Sequence, residues 1–448
     1  LVYENHRGTF TSQAFIKKNN RRGEFLFRNA EFANVLSNTL LGDEYPAEKM
    51  EEGWKLLLAN QFHDILPGTS IHEAMEMTRE EYVQMNEIGN GLLSTAVEHI
   101  NENINVTTDG IIVWNMNSMP ITGTVNVKLP FDAGKIVDEN GNDCRFVKDG
   151  ENVMFIAKDV PQMGFRVYKI EKETASFDKV VAEKTLLENS KLKVTLDENA
   201  EISSIYDKVN GREVLTAKGN ALSIFQDKPI QKSAWNLELN YQKKRWDLTK
   251  ADSIEVIAAD EVKGVVRVIR SFNKSTITQD IILYADADYI DFDTKVDWYE
   301  TEKVLKAAFP VSVISSHATY EIAHGSIERP THWNYSTDLV RFEVCGHKWA
   351  DLSEGDYGVS IINDCKYGYD IKDSLMRITL MRAPICPDPV GDKGVSTFVY
   401  RLYPHAGNWS QADTVKYAFE LNQPLKGYAA KAQSGSICAE KSFVEVSR

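Results

Sequence analysis

The sequence predicts a multidomain protein, helical first and β-structured afterwards: a three-helix bundle, then a small β-sandwich, then a large antiparallel β-sandwich. Three observations carry that prediction. Apolar residues recur at helical intervals from residue 13 to about residue 103. Short β-rich runs parted by Pro, Gly, Asn and Asp take over after Asn105, and the rest of the chain stays β-dominated. With 448 residues and 43% hydrophobic content, the chain is long enough for about two to four domains with sizeable cores.

The first helix contains Phe15, Ile16, Phe25, Leu26, Phe32 and Leu36 at helical spacing and should end at Gly42. Pro46 suits the first position of a second helix, PAEKMEEGWKLLLANQFHD, because its missing N–H costs nothing there. That helix should stop before Pro67-Gly68. Ser70 and Glu73 have capping-box spacing, so a third helix should begin there and run through MEMTREEYVQMNEIGNGLLSTAVEHIN. Short connections make the three an antiparallel bundle, residues 1–104. GIIVWNMN, TVNVKL, NVMFIA and GFRVYKI then read as a small sandwich, residues 105–172. A charged stretch, EKETASFDKVVAEKT, leads into the large β-region, residues 173–448. Within it KLKVTL, DENA and EISSIYD form a hairpin, and three alternating strands parted by NKS and ADAD fill Val262 to Tyr299.

Composition narrows the function. A formal net charge of -14, without clustered Lys and Arg, argues against nucleic acid as a partner and favours a neutral substrate. No window approaches the roughly 18 apolar residues of a membrane span, and LVYENHRGTF lacks the basic and apolar segments of a secretion signal. Neither a membrane nor secretion is expected. The five cysteines (Cys144, Cys345, Cys365, Cys386, Cys438) are odd in number and far apart, which suits a reducing compartment. The N-x-S/T triplets at Asn105, Asn273, Asn334 and Asn408 matter only in a secretory protein.

NQFHDILPGTSI places an adjacent His63 and Asp64 between an apolar helix and a Pro-Gly break. Neighbours on a helix point about 100° apart, so the two side chains should reach toward different atoms. A zinc site needs three or four ligands, and positions 59, 60, 66 and 67 supply none, although His72 on the next helix could approach. The plainer alternatives are a hydrogen-bonded histidine closing a helix and an aspartate capping its own turn. His332 in RPTHW, the aromatic and Asp-rich KYGYD and HKWADLSEGDYG, and the turn-rich PDPVGDKG carry weaker signals. No G-x-S-x-G, P-loop, H-E-x-x-H or G-x-G-x-x-G is present.

NQFHDILPGTSI resembles the signature of glycoside hydrolase family 38, the α-mannosidases, and most closely their bacterial and cytosolic or vacuolar branch. ENHRGTFTSQ, LLENSKLKVTLD, SIYDKVNGREVL, KVDWYE, LKAAFP, RPTHWN, HKWADLSEGDYGVSIINDCKYGYD and LMRAPICPDPVGDKG follow in family order, so the likeness covers essentially the whole chain. It implies an enzyme with an N-terminal α/β domain, a three-helix bundle and β-sandwich domains that hydrolyses terminal α-linked mannose with retention. One zinc is expected, held by two carboxylates and a histidine of the N-terminal domain together with His63. Asp64 matches the aspartate that hydrogen-bonds a mannose hydroxyl. Asp227, Trp235, Arg382 and Asp392 lie in segments that approach the sugar pocket in relatives, so each is a candidate substrate contact, with a buried structural role as its alternative. Ser396 departs from the pattern, since relatives commonly carry a histidine there.

The family's nucleophile and acid/base lie in the N-terminal domain, so no catalytic residue is expected among these residues. The chain, which opens on Leu1, is expected to be a piece of a longer cytoplasmic polypeptide, inactive alone. Its expected partners are an α-mannoside or oligosaccharide and the N-terminal catalytic domain of the same polypeptide; a homo-oligomer is allowed but not specified. Two rival readings are a noncatalytic carbohydrate-binding or interaction protein built from degenerate mannosidase domains, and an enzyme turned to a phosphorylated mannosyl substrate. The second would need a basic cluster that this sequence does not display.

Overall fold

The computed structural model describes residues 6–444. Residues 1–5, on which the reading of LVYENHRGTF and the start of ENHRGTFTSQ partly rest, lie outside them. A short 3-10 turn, Arg7–Phe10, precedes α1, Ala14–Leu41. Gly42 ends α1 in the left-handed conformation at φ 81°, its N–H bonded to the Asn38 carbonyl, as its position in the sequence predicts. α2 spans Ala47–Ala59 and α3 His72–Glu102. All three pack through one core that includes Ile16, Phe27, Leu57, Met75, Tyr82 and Met85.

Two helix ends differ from expectation. α2 stops at Ala59, short of the predicted Asp64, because the Asn60 side chain turns back to the Leu56 carbonyl at 2.9 Å and also reaches Glu81 at 2.8 Å. The Ser70–Glu73 capping box does not form. Ser70 Oγ donates instead to the Asp64 carbonyl at 2.9 Å, and Ile71 becomes the cap without a side-chain bond.

The small sandwich sets a three-stranded sheet, built on Ile121–Lys128, Phe146–Asp149 and Asn152–Val160, against a sheet centred on Gly110–Asn115 and Gly164–Glu171. The second sheet is completed from far along the chain: Lys426–Ala430 pairs antiparallel with Gly110–Asn115, and Glu440–Ser442 with Gly164–Glu171. Two strands of the segment 173–448 therefore belong by pairing to the sheet of 105–172. Register is a matter of long-range pairing, which local alternation cannot reveal.

The large β-region is antiparallel, as predicted. Leu192–Leu196 and Ile202–Asp207 form the expected hairpin. Lys263–Phe272, Ser275–Tyr284 and Ile290–Trp298 lie side by side in a nine-stranded sheet. A six-stranded sheet containing Ala221–Gln226, Lys303–Pro310 and Leu375–Arg382 shares its core, which includes Trp298, Phe292, Phe309 and Tyr400. Two helices interrupt the strands, α4, Ser336–Leu339, and α5, Thr414–Asn422. None of the described helices is long and apolar enough to cross a membrane. All five cysteines are free.

Candidate functional site

Residues 60–68 run as consecutive turns, closed by bonds such as Ile65 N–H to the Phe62 carbonyl (2.9 Å) and Gly68 N–H to the Ile65 carbonyl (2.8 Å). Pro67 has no N–H to continue a helix, and Gly68 supplies φ 79°. A Cβ on Gly68 would lie 2.5 Å from the Ser12 carbonyl oxygen, so glycine also permits the turn to sit against the start of α1.

His63 and Asp64 stand on this turn. Their side chains are 76% and 48% exposed, and His63 Nε2 lies 3.4 Å from Asp64 Oδ2. The expectation that the pair points apart assumed a helix; in a turn the two can approach. The Phe62 ring lies 4.2 Å from the imidazole, centroid to centroid, and is itself exposed. The Asp64 carbonyl accepts from Thr69 N–H and Ser70 Oγ, so the residue shapes its own turn through the backbone while its carboxylate stays accessible. His72 does not join the pair: its Nδ1 lies 3.2 Å from Asp388 Oδ1, on the β-region.

The remaining candidates meet along a seam between the bundle and the large β-region. Arg382 Nε lies 2.7 Å from Asp227 Oδ2, and both side chains are 1% exposed. Arg382 Nη1 donates to Ser12 Oγ (2.9 Å) and to the Ala234 carbonyl (3.1 Å), and its Nη2 donates to the Asn236 carbonyl. Burial pushes the Asp227 carboxyl up, against the opposing pull of Arg382. Trp235, half-buried, accepts the Gly8 N–H on its carbonyl at 2.8 Å. A Cβ on Gly8 would fall 2.1 Å from Arg382 Nη1, so the 3-10 turn docks here only as glycine.

Asp392 caps α1 from outside: its carboxylate accepts the N–H of Gln13 (2.8 Å) and of Ala14 (2.6 Å). Burial pushes this carboxyl up, opposed by those two donors and by the Lys17 ammonium. Gln13 adopts φ 56°, unusual for a residue with a side chain, and its amide donates to Asp388 Oδ2 at 2.8 Å. Gly68 stood out in the sequence only as part of the Pro67-Gly68 break, while Ser12, Gln13 and Asp388 were not singled out. Only Gly68, following Pro67, had a local signal; the others matter through partners more than two hundred residues away.

Among the weaker candidates, His332 Nδ1 lies 3.3 Å from Asp338 Oδ2, and Asp351 accepts from the buried His405 at 2.8 Å. Asp370 of KYGYD pairs with Arg377 and accepts from Tyr241. Ser396 occupies the strand Gly394–Ala406 opposite Val296. Asp351, Asp370 and His332 are thus paired within the fold, and no side-chain partner among the described residues accounts for Ser396.

Beside the His63 turn a cleft of about 350 Å³ opens between the bundle and the β-region. Phe10, Lys17, Asn20 and Glu24 form one wall, Gln61, Leu66 and Pro67 a second, and Cys345, His347 and Tyr367 the third. Burial, with Arg21 and Lys348 nearby, pushes His347 down to about 4, so its ring is neutral near pH 7. Among the described residues no three His, Cys, Asp or Glu side chains gather to hold a metal ion.

Two family models match this chain: the alpha mannosidase middle domain over residues 4–100, and the glycosyl hydrolases family 38 C-terminal domain over residues 187–390. The chain is 32% identical over 438 residues to the human protein named Alpha-mannosidase 2C1, covering 95% of this chain and 40% of that protein. It is 32% identical over 444 residues to the Saccharomyces cerevisiae protein named Alpha-mannosidase, covering 95% and 37%. The chain thus spans about 40% of the length of these curated relatives. In fold it is similar to the crystal structure of an alpha-mannosidase from Enterococcus faecalis V583, with TM-score 0.82 and 16% identity, over 97% of this chain and 59% of that one. The chain belongs to glycosyl hydrolase family 38, of which it carries the middle and C-terminal domains.

Proposed function

We propose that this chain is part of a zinc-dependent, retaining exo-α-mannosidase that removes terminal α-linked mannose from oligosaccharides or glycans in the cytoplasm. The observation that carries the reading is the accessible imidazole and carboxylate of His63 and Asp64, side by side on a turn braced by the buried seam. The relatives named as alpha-mannosidases support the substrate class.

His63 is chemically fit to be one zinc ligand: it is exposed, with a ring nitrogen available. The described residues supply no complete ligand set, so the reading assigns the other ligands, the nucleophile and the acid/base to an N-terminal domain of the same polypeptide. A bound zinc would orient sugar hydroxyls and act as a Lewis acid. Asp64 would accept a hydrogen bond from a hydroxyl of the terminal mannose, and the rigid seam would keep that acceptor in place while the glycosidic bond is attacked. Arg382 and Asp227 act here by holding the entry to α1, with any sugar contact made through the groups they position.

The test is release of chromophore from an aryl α-mannoside by the 448-residue chain and by the polypeptide extended upstream. Zinc-dependent activity only in the extended form is expected. There H63A should lose most of the zinc, whereas D64N should keep zinc and lose about a hundredfold or more in kcat/KM, on the order of 3 kcal/mol of transition-state stabilisation. Full activity and zinc content in both variants would overturn the assignment. Activity of the 448-residue chain alone would place the carboxylate pair within it, against this reading.

A further inference from the structure

A second cleft, of about 290 Å³, lies away from the His63 turn, where α1 and α3 meet the small sandwich and the end of α5. Its size is at the lower end of ligand pockets, roughly 300 Å³ and upward, and suits a single sugar ring. Two features set its chemistry. Its lining contains the amides Asn29, Asn86, Asn90, Asn422 and Gln423 and the cations Arg22 and Lys426 beside the half-buried rings of Phe25 and Tyr428, and no carboxylate. Two of those amides also carry an unpaired polar atom.

Asn29 is 7% exposed and lines the cleft. Gln423 is 5% exposed, and its Nε2 donor is unpaired. Asn422 Oδ1, an acceptor, is unpaired as well. Leaving such groups buried and unpaired costs roughly 1–3 kcal/mol each, so the site favours a guest that can both donate and accept. A sugar hydroxyl does both. The aromatic rings supply apolar faces for the ring carbons of a pyranose.

We propose that this cleft is a second, noncatalytic carbohydrate site, holding one hexose unit of an oligosaccharide. Without a lining carboxylate it cannot supply the pair that glycoside hydrolysis requires. A preference for mannose rests on the proposed function, but the chemistry of a hexose site does not.

The test is calorimetric titration of the 448-residue chain with methyl α-mannoside, methyl α-glucoside, methyl α-galactoside and inorganic phosphate. Weak saturable binding of at least one glycoside is expected, reduced about tenfold or more by N29L and by Q423L and about threefold by N90L on the exposed rim, and retained in D64A. N90L keeps the test decisive should the buried variants misfold. Binding lost in D64A but intact in N90L and N29L would move the sugar to the His63 turn and overturn the second site, leaving the mannosidase reading standing. Binding of glucoside or galactoside but not mannoside would support the site while counting against its link to mannose. Binding of phosphate alone, or of nothing, would overturn the proposal.

Discussion

Arg382 shows what a single residue holds in this molecule. Its guanidinium faces Asp227, the Ser12 hydroxyl and the Ala234 and Asn236 carbonyls, with almost no exposure. Substituting Met for Arg382 should cost about 3–5 kcal/mol in urea unfolding, because the Asp227 carboxylate is left buried and unpaired. The double variant R382M/D227L should recover part of that loss; equal stability of R382M and the wild type would show that the pair contributes nothing. His347 gives a pH signature. Its pKa falls from 6.5 to about 4 on folding, so the unfolded state takes up the proton first as pH drops. Stability should decline as pH falls from about 6.5 to about 4 and level off below, and H347Q should flatten that limb of the Tm profile.

The turn after α2 is the element that presents His63 and Asp64, and Gly68 is its fulcrum. Gly42 and Gly68 both have φ near 80°, but nothing lies within 4 Å of a Cβ at Gly42, whereas one at Gly68 would strike the Ser12 carbonyl. G42A should therefore cost only the left-handed backbone penalty, about 1–2 kcal/mol. G68A should cost clearly more and also displace the turn, so in the active polypeptide it should lower kcat/KM as well as Tm. Equal losses in the two variants would mean that the close approach to Ser12 is unimportant. The sequence revealed a break at Pro67-Gly68, but not that α2 ends at Ala59, because the bond from Asn60 to Glu81 crosses between helices.

Across the whole molecule, the C-terminal strands tie the ends of the described chain together. Lys426–Ala430 and Glu440–Ser442 complete the sheet that carries Trp114 and Phe165, which pack into the same core as the helices. Truncation after Leu425 should therefore destabilise the small sandwich and bundle as well as the C-terminus, exposing apolar surface. Limited proteolysis should then cut within residues 105–172, where the intact chain resists. An intact, resistant sandwich in the truncated protein would refute that dependence. A deletion confined to a separate large β-domain would have been the natural expectation from the linear order of elements.

What the sequence by itself determined was the order of element types, the three long helices, the strands of the small sandwich and the first hairpins of the large β-region, and family membership. These follow from local periodicity, turn chemistry and motifs that survive in linear text. The hairpin at 192–207 and the Gly42 cap were legible because every residue that defines them is a near neighbour. His63 and Asp64 were legible as a motif, yet their exposure and mutual approach were not, since both depend on where α2 stops. The seam was decided only by the tertiary structure: Asp392 caps α1 from 379 positions away in the chain, Arg382 reaches Ser12 across 370, and the returning strands close a sheet begun at Gly110. Buried charges and open sheet edges must be satisfied by whatever the fold brings near, and one sequence read in order does not say which groups those are.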